Sequence, residues 1–206
     1  MAANRPGWAT LTQYERVFWE AGHMVAGVDE VGRGPLAGPV VAAAVVFRTG
    51  AQVDGLDDSK RLSERQRQQL MPVILREAQA VAAAFVGPRE IERVNIREAS
   101  RRAMATALLR LGVSPYVVLT DALAIGGPWQ EWALLHGDRR SASIAAASVV
   151  AKVLRDQYMQ ELSEQYPEYG FDGHKGYATA AHRAVLEQRG PCEAHRRTFL
   201  HDLPTA

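Results

Sequence analysis

The sequence predicts an α/β layered domain on a mixed β-sheet, followed by a helical C-terminal portion. Apolar runs rich in valine and alanine come early, at Val25–Val28, Val40–Phe47 and Val81–Val86. Shorter apolar runs then alternate with segments of helical period. From Ile144 onward only helical patterns and loops follow.

Gln13 to His23 reads as a short helix or a lead-in. Val25-Ala26-Gly27-Val28 is a short strand running into Asp29-Glu30, and a glycine-rich turn from Gly32 to Pro39 follows. Val40 to Phe47 has the composition of a strand buried on both faces. Asp57 to Leu62 is a polar loop. Ser63 can cap a helix, with Gln66 completing a capping box. That helix is expected to run to about Ala78, with Pro72 as a kink point. Val81 to Val86 is a third strand, stopped by Gly87-Pro88. Ile96 to Leu111 is helical, with Ala99, Ala103, Ala107 and Leu108 on one face and Gly112 as its stop. Val117 to Thr120 forms a fourth strand ending at Asp121, and Trp132 to Leu135 a fifth, with Asp138 just beyond. Ile144 to about Gln165 is a long alanine-rich helix. Tyr166 to Tyr177 is a loop, and Ala178 to Gln188 a last helix ahead of Gly190-Pro191.

The 206 residues suit a single domain, 1–206, which at this size buries roughly 70% of the unfolded surface without staples. Formal charge is +1, from 24 basic and 23 acidic side chains, which argues against a generic basic nucleic-acid binder. A basic rim around an acidic centre would leave the same sum. The single Cys192 rules out an internal disulfide framework and a cysteine zinc cage. Residues 1–20 lack a basic-then-apolar signal pattern, and the apolar run Pro35–Phe47 is too short to span a bilayer. The expectation is a cytoplasmic protein with no membrane association.

Four acids share one placement. Asp29 and Glu30 end the first strand, Asp121 ends the fourth, and Asp138 follows the fifth. Ligand sites in α/β sheets gather at strand ends. Because side chains alternate along a strand, Glu30 is expected to reach the site of Asp29 only if the chain already turns there. Clustered carboxylates repel one another, and a divalent cation removes that conflict. Taken singly, each acid is as well read as a turn former, a cap or a salt-bridge partner, and Asp138 as the cap of the helix after it.

Gly32-Arg33-Gly34-Pro35 directly follows the acid pair. Glycine lets backbone approach a ligand, and a guanidinium between glycines can bind phosphate. The spacing is neither a Walker loop nor GxGxxG. The stretch Gly-Val-Asp-Glu-Val-Gly-Arg-Gly-Pro-Leu-Ala-Gly-Pro, Gly27 to Pro39, resembles the signature of bacterial ribonuclease HII. The resemblance continues in order through Asp58-Ser59-Lys60-Arg61-Leu62-Ser63, Val94-Asn95-Ile96, Leu119-Thr120-Asp121 and Gly137-Asp138. It then takes in Ala146 to Asp156, Tyr169-Gly170-Phe171 with His174-Lys175-Gly176-Tyr177, and His195 to Phe199. Two departures stand out. Ala122 follows the third acid where the family usually has glycine, and Ala145 replaces the first serine of a Ser-Ala-Ala-Ser run.

The resemblance implies a ribonuclease H-like fold, with a catalytic core over about 24–156 and a helical extension over about 157–200. It implies an endonuclease acting on RNA–DNA hybrids, and on duplex DNA containing ribonucleotides, where it incises 5′ of the ribonucleotide. The products carry 3′-hydroxyl and 5′-phosphate ends, and the activity serves removal of misincorporated ribonucleotides. Asp29, Glu30, Asp121 and Asp138 are implied as the catalytic, metal-holding residues, working with Mg²⁺ or Mn²⁺, two ions during catalysis. Asp156 is the rival fourth acid, expected instead to pair with Lys152 or Arg155. Gly32, Arg33, Gly34, Lys60 and Tyr177 are implied to bind substrate. Tyr177 would pack on the sugar at an RNA-to-DNA junction; without the motif it reads as a half-buried core tyrosine. Lys175 and Arg155 are further candidates for phosphate contact. A monomer is expected.

Overall fold

The computed structural model describes residues 7–200. In chain order its elements are helices α1 (Trp8–Leu11) and α2 (Gln13–Trp19), strands β1 (Val25–Val31) and β2 (Val40–Phe47), and helix α3 (Glu64–Glu77). Strand β3 (Ala78–Val86), helices α4 (Pro88–Val94) and α5 (Ile96–Leu109), and strands β4 (Val117–Asp121) and β5 (Gln130–Leu134) come next. Helices α6 (Ala142–Gln165), α7 (Phe171–His174) and α8 (Ala180–Arg189) complete the chain. The sheet runs β3-β2-β1-β4-β5. β1 pairs antiparallel with β2 and β2 with β3, whereas β1–β4 and β4–β5 are parallel.

β2 shows why this is a three-layer domain. All eight of its residues are buried. Val41, Ala43, Val45 and Phe47 pack with α6 and α3, while Val40, Ala42, Ala44 and Val46 pack with α5 on the other face. An apolar strand with no polar alternation is what a doubly covered sheet requires. The first half of α6, Ala142–Ala151, is buried on every side, as a helix sunk in the core must be. It also lies unusually close to β1. A Cβ placed on Gly27 would come 2.1 Å from the Ser143 carbonyl carbon, so only glycine lets this helix rest on the strand.

The local signals act as their chemistry dictates. Ser63 Oγ accepts from Gln66 N–H, and Gln66 Oε1 accepts from Ser63 N–H at 2.9 Å, closing the expected capping box. α3 continues through Pro72 to Glu77 and passes directly into β3, which starts three residues before the expected Val81. Gly87-Pro88 ends β3 at Val86 as expected and also begins α4, because proline at the first helical position is already set for a helix. Asn95, at φ +67°, separates α4 from α5 and caps the latter.

Beyond α6 the chain doubles back toward the glycine-rich turn. Leu36 and Ala37 pack there with Met159, Leu162, Phe171 and Leu186 as a separate small core. Among the described residues no helix is long and apolar enough to cross a membrane.

Candidate active site

β1 pairs with β4 only as far as Val28↔Thr120, but it continues against β2 to Val31↔Val41. A cleft of about 550 Å³ lies at these strand ends, lined by Asp29, Glu30, Gly32, Lys60, Asp121 and Tyr177 among others. The expectation that Glu30 needs a turn to join Asp29 is corrected. The strand stays extended past both acids, which pair with β2 on one side but lie beyond the last β4 pair on the other, and both line the cleft.

Asp121 Oδ1 accepts from the Gly137 amide at 2.9 Å, which ties the end of β4 to the short turn Gly137–Arg139 carrying Asp138. Asp138 is buried, and its Oδ2 stands 3.6 Å from Lys60 Nζ. It does not cap α6. Ser141 does, accepting from Ile144 N–H, so the reading of Asp138 as a helix cap falls.

These acids strain against one another. Burial holds the Asp29 carboxyl well above the usual carboxylate range, and the charges of Glu30 and Asp121 add to it. Burial also raises Glu30, opposed by the Arg33 guanidinium and assisted by Asp121. Asp138 is raised by burial and then by Asp58 and Asp121. At Lys60 burial works against the ammonium, but Asp58, Asp138, Asp29 and Asp121 outweigh it and raise its pKa. Hard, mutually repelling oxygens without enough cations of their own are the donor set that suits a divalent cation. Among the described residues no three His, Cys, Asp or Glu side chains close into a metal cage. An open set still fits Mg²⁺, which keeps waters and substrate phosphates in its shell.

Asp156 stands apart from the cleft. It accepts from Lys152 Nζ at 2.6 Å and from Arg67 at 3.4 Å, so its expected pairing with Lys152 is observed and that with Arg155 is not. Lys152 and Arg67 themselves line the cleft and were missed by the sequence reading. The i,i+4 spacing of Lys152 and Asp156 was the available signal; nothing in the order of residues brings Arg67 there. With Arg33 and Lys60 they form a basic rim, which is how an acidic centre coexists with a net charge of +1.

The phosphate-contact reading of Arg155 is corrected. Its side chain is buried and donates to the carbonyls of Pro39 (3.0 Å), Ala37 (3.2 Å) and Lys175 (3.0 Å). Lys175 Nζ is turned back onto the Asp172 carbonyl, and Lys175 does not line the cleft. Lys60 does line it, with its side chain 76% exposed. Asp58, buried below, accepts from the Lys60 amide at 2.9 Å and from Arg139. The adjacent Ser59 amide donates to Ser148 Oγ at 3.2 Å, so the one hydroxyl kept in the Ala145–Ser148 run anchors this loop to α6.

Arg33 reaches Glu30 at 3.3 Å. Tyr177 is 47% exposed and lines the cleft, which contradicts the reading of it as a core residue; its ring centroid lies 6.0 Å from the Arg155 guanidinium carbon. His174 holds the turn before it, accepting from the Gly176 amide at 3.1 Å.

A family profile described as Ribonuclease HII matches residues 26–201. The ribonuclease HII of Bacillus licheniformis is 44% identical over 200 residues, which are 97% of this chain and 78% of that protein. That of Geobacillus kaustophilus is 48% identical over 193 residues, 93% of this chain and 74% of that protein. Among solved structures, the ribonuclease H2 of Pyrococcus horikoshii superposes with a TM-score of 0.71 at 26% identity, over 85% of this chain and 93% of that one. The expected ribonuclease H-like fold, a mixed sheet flanked by helices, is the fold observed.

Proposed function

This chain belongs to the ribonuclease HII family and is a ribonuclease H, and on that premise we propose that it incises duplexes 5′ of a ribonucleotide, both in RNA–DNA hybrids and at ribonucleotides embedded in DNA. The observation that carries this reading is one cleft that brings Asp29, Glu30 and Asp121 together with the Gly32-Arg33-Gly34 loop and Tyr177. Chemistry and sugar recognition then act on the same nucleotide.

Asp29, Glu30, Asp121 and Asp138 would hold Mg²⁺ or Mn²⁺. Bound there, such ions, two during catalysis, would supply Lewis acidity and a water of lowered pKa. The residues of the chain do the rest. Asp29, whose carboxyl pKa is raised by burial and by Glu30 and Asp121, would be held in its ionised form by such a cation. Gly137 keeps Asp121 oriented through its amide. Lys60, Lys152 and Arg67 offer cations to phosphates along the strand, which positions the duplex without reading its sequence. Tyr177 presents an exposed ring beside the loop, suited to packing on a sugar.

The test is incubation with Mg²⁺ or Mn²⁺ and a labelled DNA duplex containing one internal ribonucleotide, beside all-DNA and RNA–DNA hybrid duplexes. One cut just 5′ of the ribonucleotide, lost in Asp121→Asn, is the expected result. Cutting of long hybrid alone would leave the nuclease standing and remove the junction reading. No cutting of any duplex with either ion would overturn the assignment to this chain.

A further inference from the structure

The His195–Phe199 segment carries an arginine whose place in the fold is unlike that of a substrate contact. Arg196 is fully buried, and among the described residues its side-chain hydrogen-bond partners are carbonyls and not carboxylates. It donates to three carbonyls of the glycine-rich loop: Nε to Gly38 at 2.9 Å, Nη1 to Arg33 at 3.0 Å and Nη2 to Gly32 at 2.6 Å. Backbone pairing sets it there, since Arg196 N–H donates to Leu36 O at 2.8 Å and Gly38 N–H to Ala194 O at 2.9 Å. Arg155, also buried, holds the next carbonyls of the same loop and that of Lys175.

The two guanidinium groups therefore share one small volume, a costly arrangement for a core that needed only stability. Burial and then the Arg155 charge push Arg196 down to about 9, which still leaves it charged at neutral pH. Lysine is a poor replacement for either group, because three carbonyls spread over Nε, Nη1 and Nη2 suit a fork of donors and not a point charge.

The consequence follows from the peptide unit. In a trans peptide the C=O and the next N–H point in opposite directions. Arg196 draws the Gly32 and Arg33 carbonyls inward, so the amides of Arg33 and Gly34 face away from the core. Both residues line the cleft, neither amide has a backbone acceptor among the described residues, and the space beside Gly34 is open. We propose that Arg196 is a positioning residue for ribose recognition, which turns the Arg33 and Gly34 amides into the cleft as donors to the sugar 2′-hydroxyl or the adjoining phosphate.

This rests on the functional reading above, and the experiment separates the two. In an Asp121→Asn background, which blocks cutting, affinities are measured for an all-DNA duplex and for one holding a single ribonucleotide. The parent is expected to prefer the ribonucleotide duplex, and Arg196→Lys to reduce that preference by roughly tenfold, the discrimination lost with a misdirected polar contact. A preference unchanged in a folded Arg196→Lys protein would overturn the proposal, whatever the effect on melting temperature, since a merely structural arginine predicts that result. Should Arg196→Lys not fold, Gly34→Pro removes one of the amides at an open position. Loss of preference there supports the proposal and retention overturns it. A parent with no preference at all would instead count against the functional reading.

Discussion

His182 Nε2 lies 3.0 Å from His195 Nε2 in the small core behind Tyr177. Their other contacts decide where the protons are. His182 Nδ1 faces the Tyr177 carbonyl at 2.9 Å and must donate. His195 Nδ1 accepts from the Cys192 amide at 3.1 Å, so its proton sits on Nε2 and points at His182. Both rings are neutral, and an added proton would set two N–H groups against each other.

A pH dependence of stability follows. Burial lowers the pKa of His182, and burial followed by the neighbouring His182 lowers that of His195 from 6.5 to about 4. Between these values the unfolded chain binds protons that the folded one refuses. Stability is therefore complete above pH ~6.5 and falls as pH drops toward ~4, by about 2–3 kcal/mol for His195. Urea melts across this range measure it, and His195→Gln should flatten the slope. An equal slope in that variant would place the acid sensitivity elsewhere.

Asp29→Asn should stabilise the metal-free protein by about 1 kcal/mol while abolishing cleavage. The Asp29 carboxyl is raised by burial and by its acidic neighbours, so its ionised form opposes folding, and the opposition grows as pH rises through the folded pKa. The amide removes that charge. Calorimetry at neutral pH with chelator is the check; a lower melting temperature would show the carboxylate to be well solvated.

Ala122→Gly relieves a strained position. Ala122 follows Asp121 with φ +57°, a left-handed conformation that costs a residue with a Cβ about 1 kcal/mol. Added freedom in the unfolded chain offsets part of the gain. The expected outcome is a melting temperature equal to wild type or higher by about 2 °C, with cleavage retained. A marked loss of stability would mean that the Cβ makes a packing contact worth more than the strain.

Tyr177→Ala should slow incision at a single ribonucleotide by roughly tenfold or more, with less effect on duplex binding. The exposed ring lines the cleft, and its proposed contact is to the sugar, whereas the phosphates are assigned to the basic side chains. Rates under single-turnover conditions and Kd by gel shift are to be compared. Equal losses in both would make Tyr177 a general binding residue.

Much of this protein was legible along the chain. The doubly buried β2 showed as eight apolar residues in a row, the α3 cap showed as Ser63 and Gln66, and Asp29, Glu30 and Asp121 stood at strand ends. These are local facts, because pleat, helical turn and capping each act over a few residues. Where a local signal had two meanings, packing chose between them: Gly87-Pro88 opened a helix instead of only closing a strand, and Ser141 took the cap that Asp138 could have been.

The tertiary structure alone decided which charges face the cleft. Arg155 resembled a phosphate contact in sequence yet is spent on carbonyls, while Lys152, read only as a partner for Asp156, and Arg67, unremarked in sequence, reach the rim. Arg196 meets Gly32 across a separation of 164 residues. No periodicity or turn rule spans that distance. Such a contact exists only once the sheet, α6 and the C-terminal helices have excluded water from between them, and a buried guanidinium must then take whatever acceptors the fold has brought within reach.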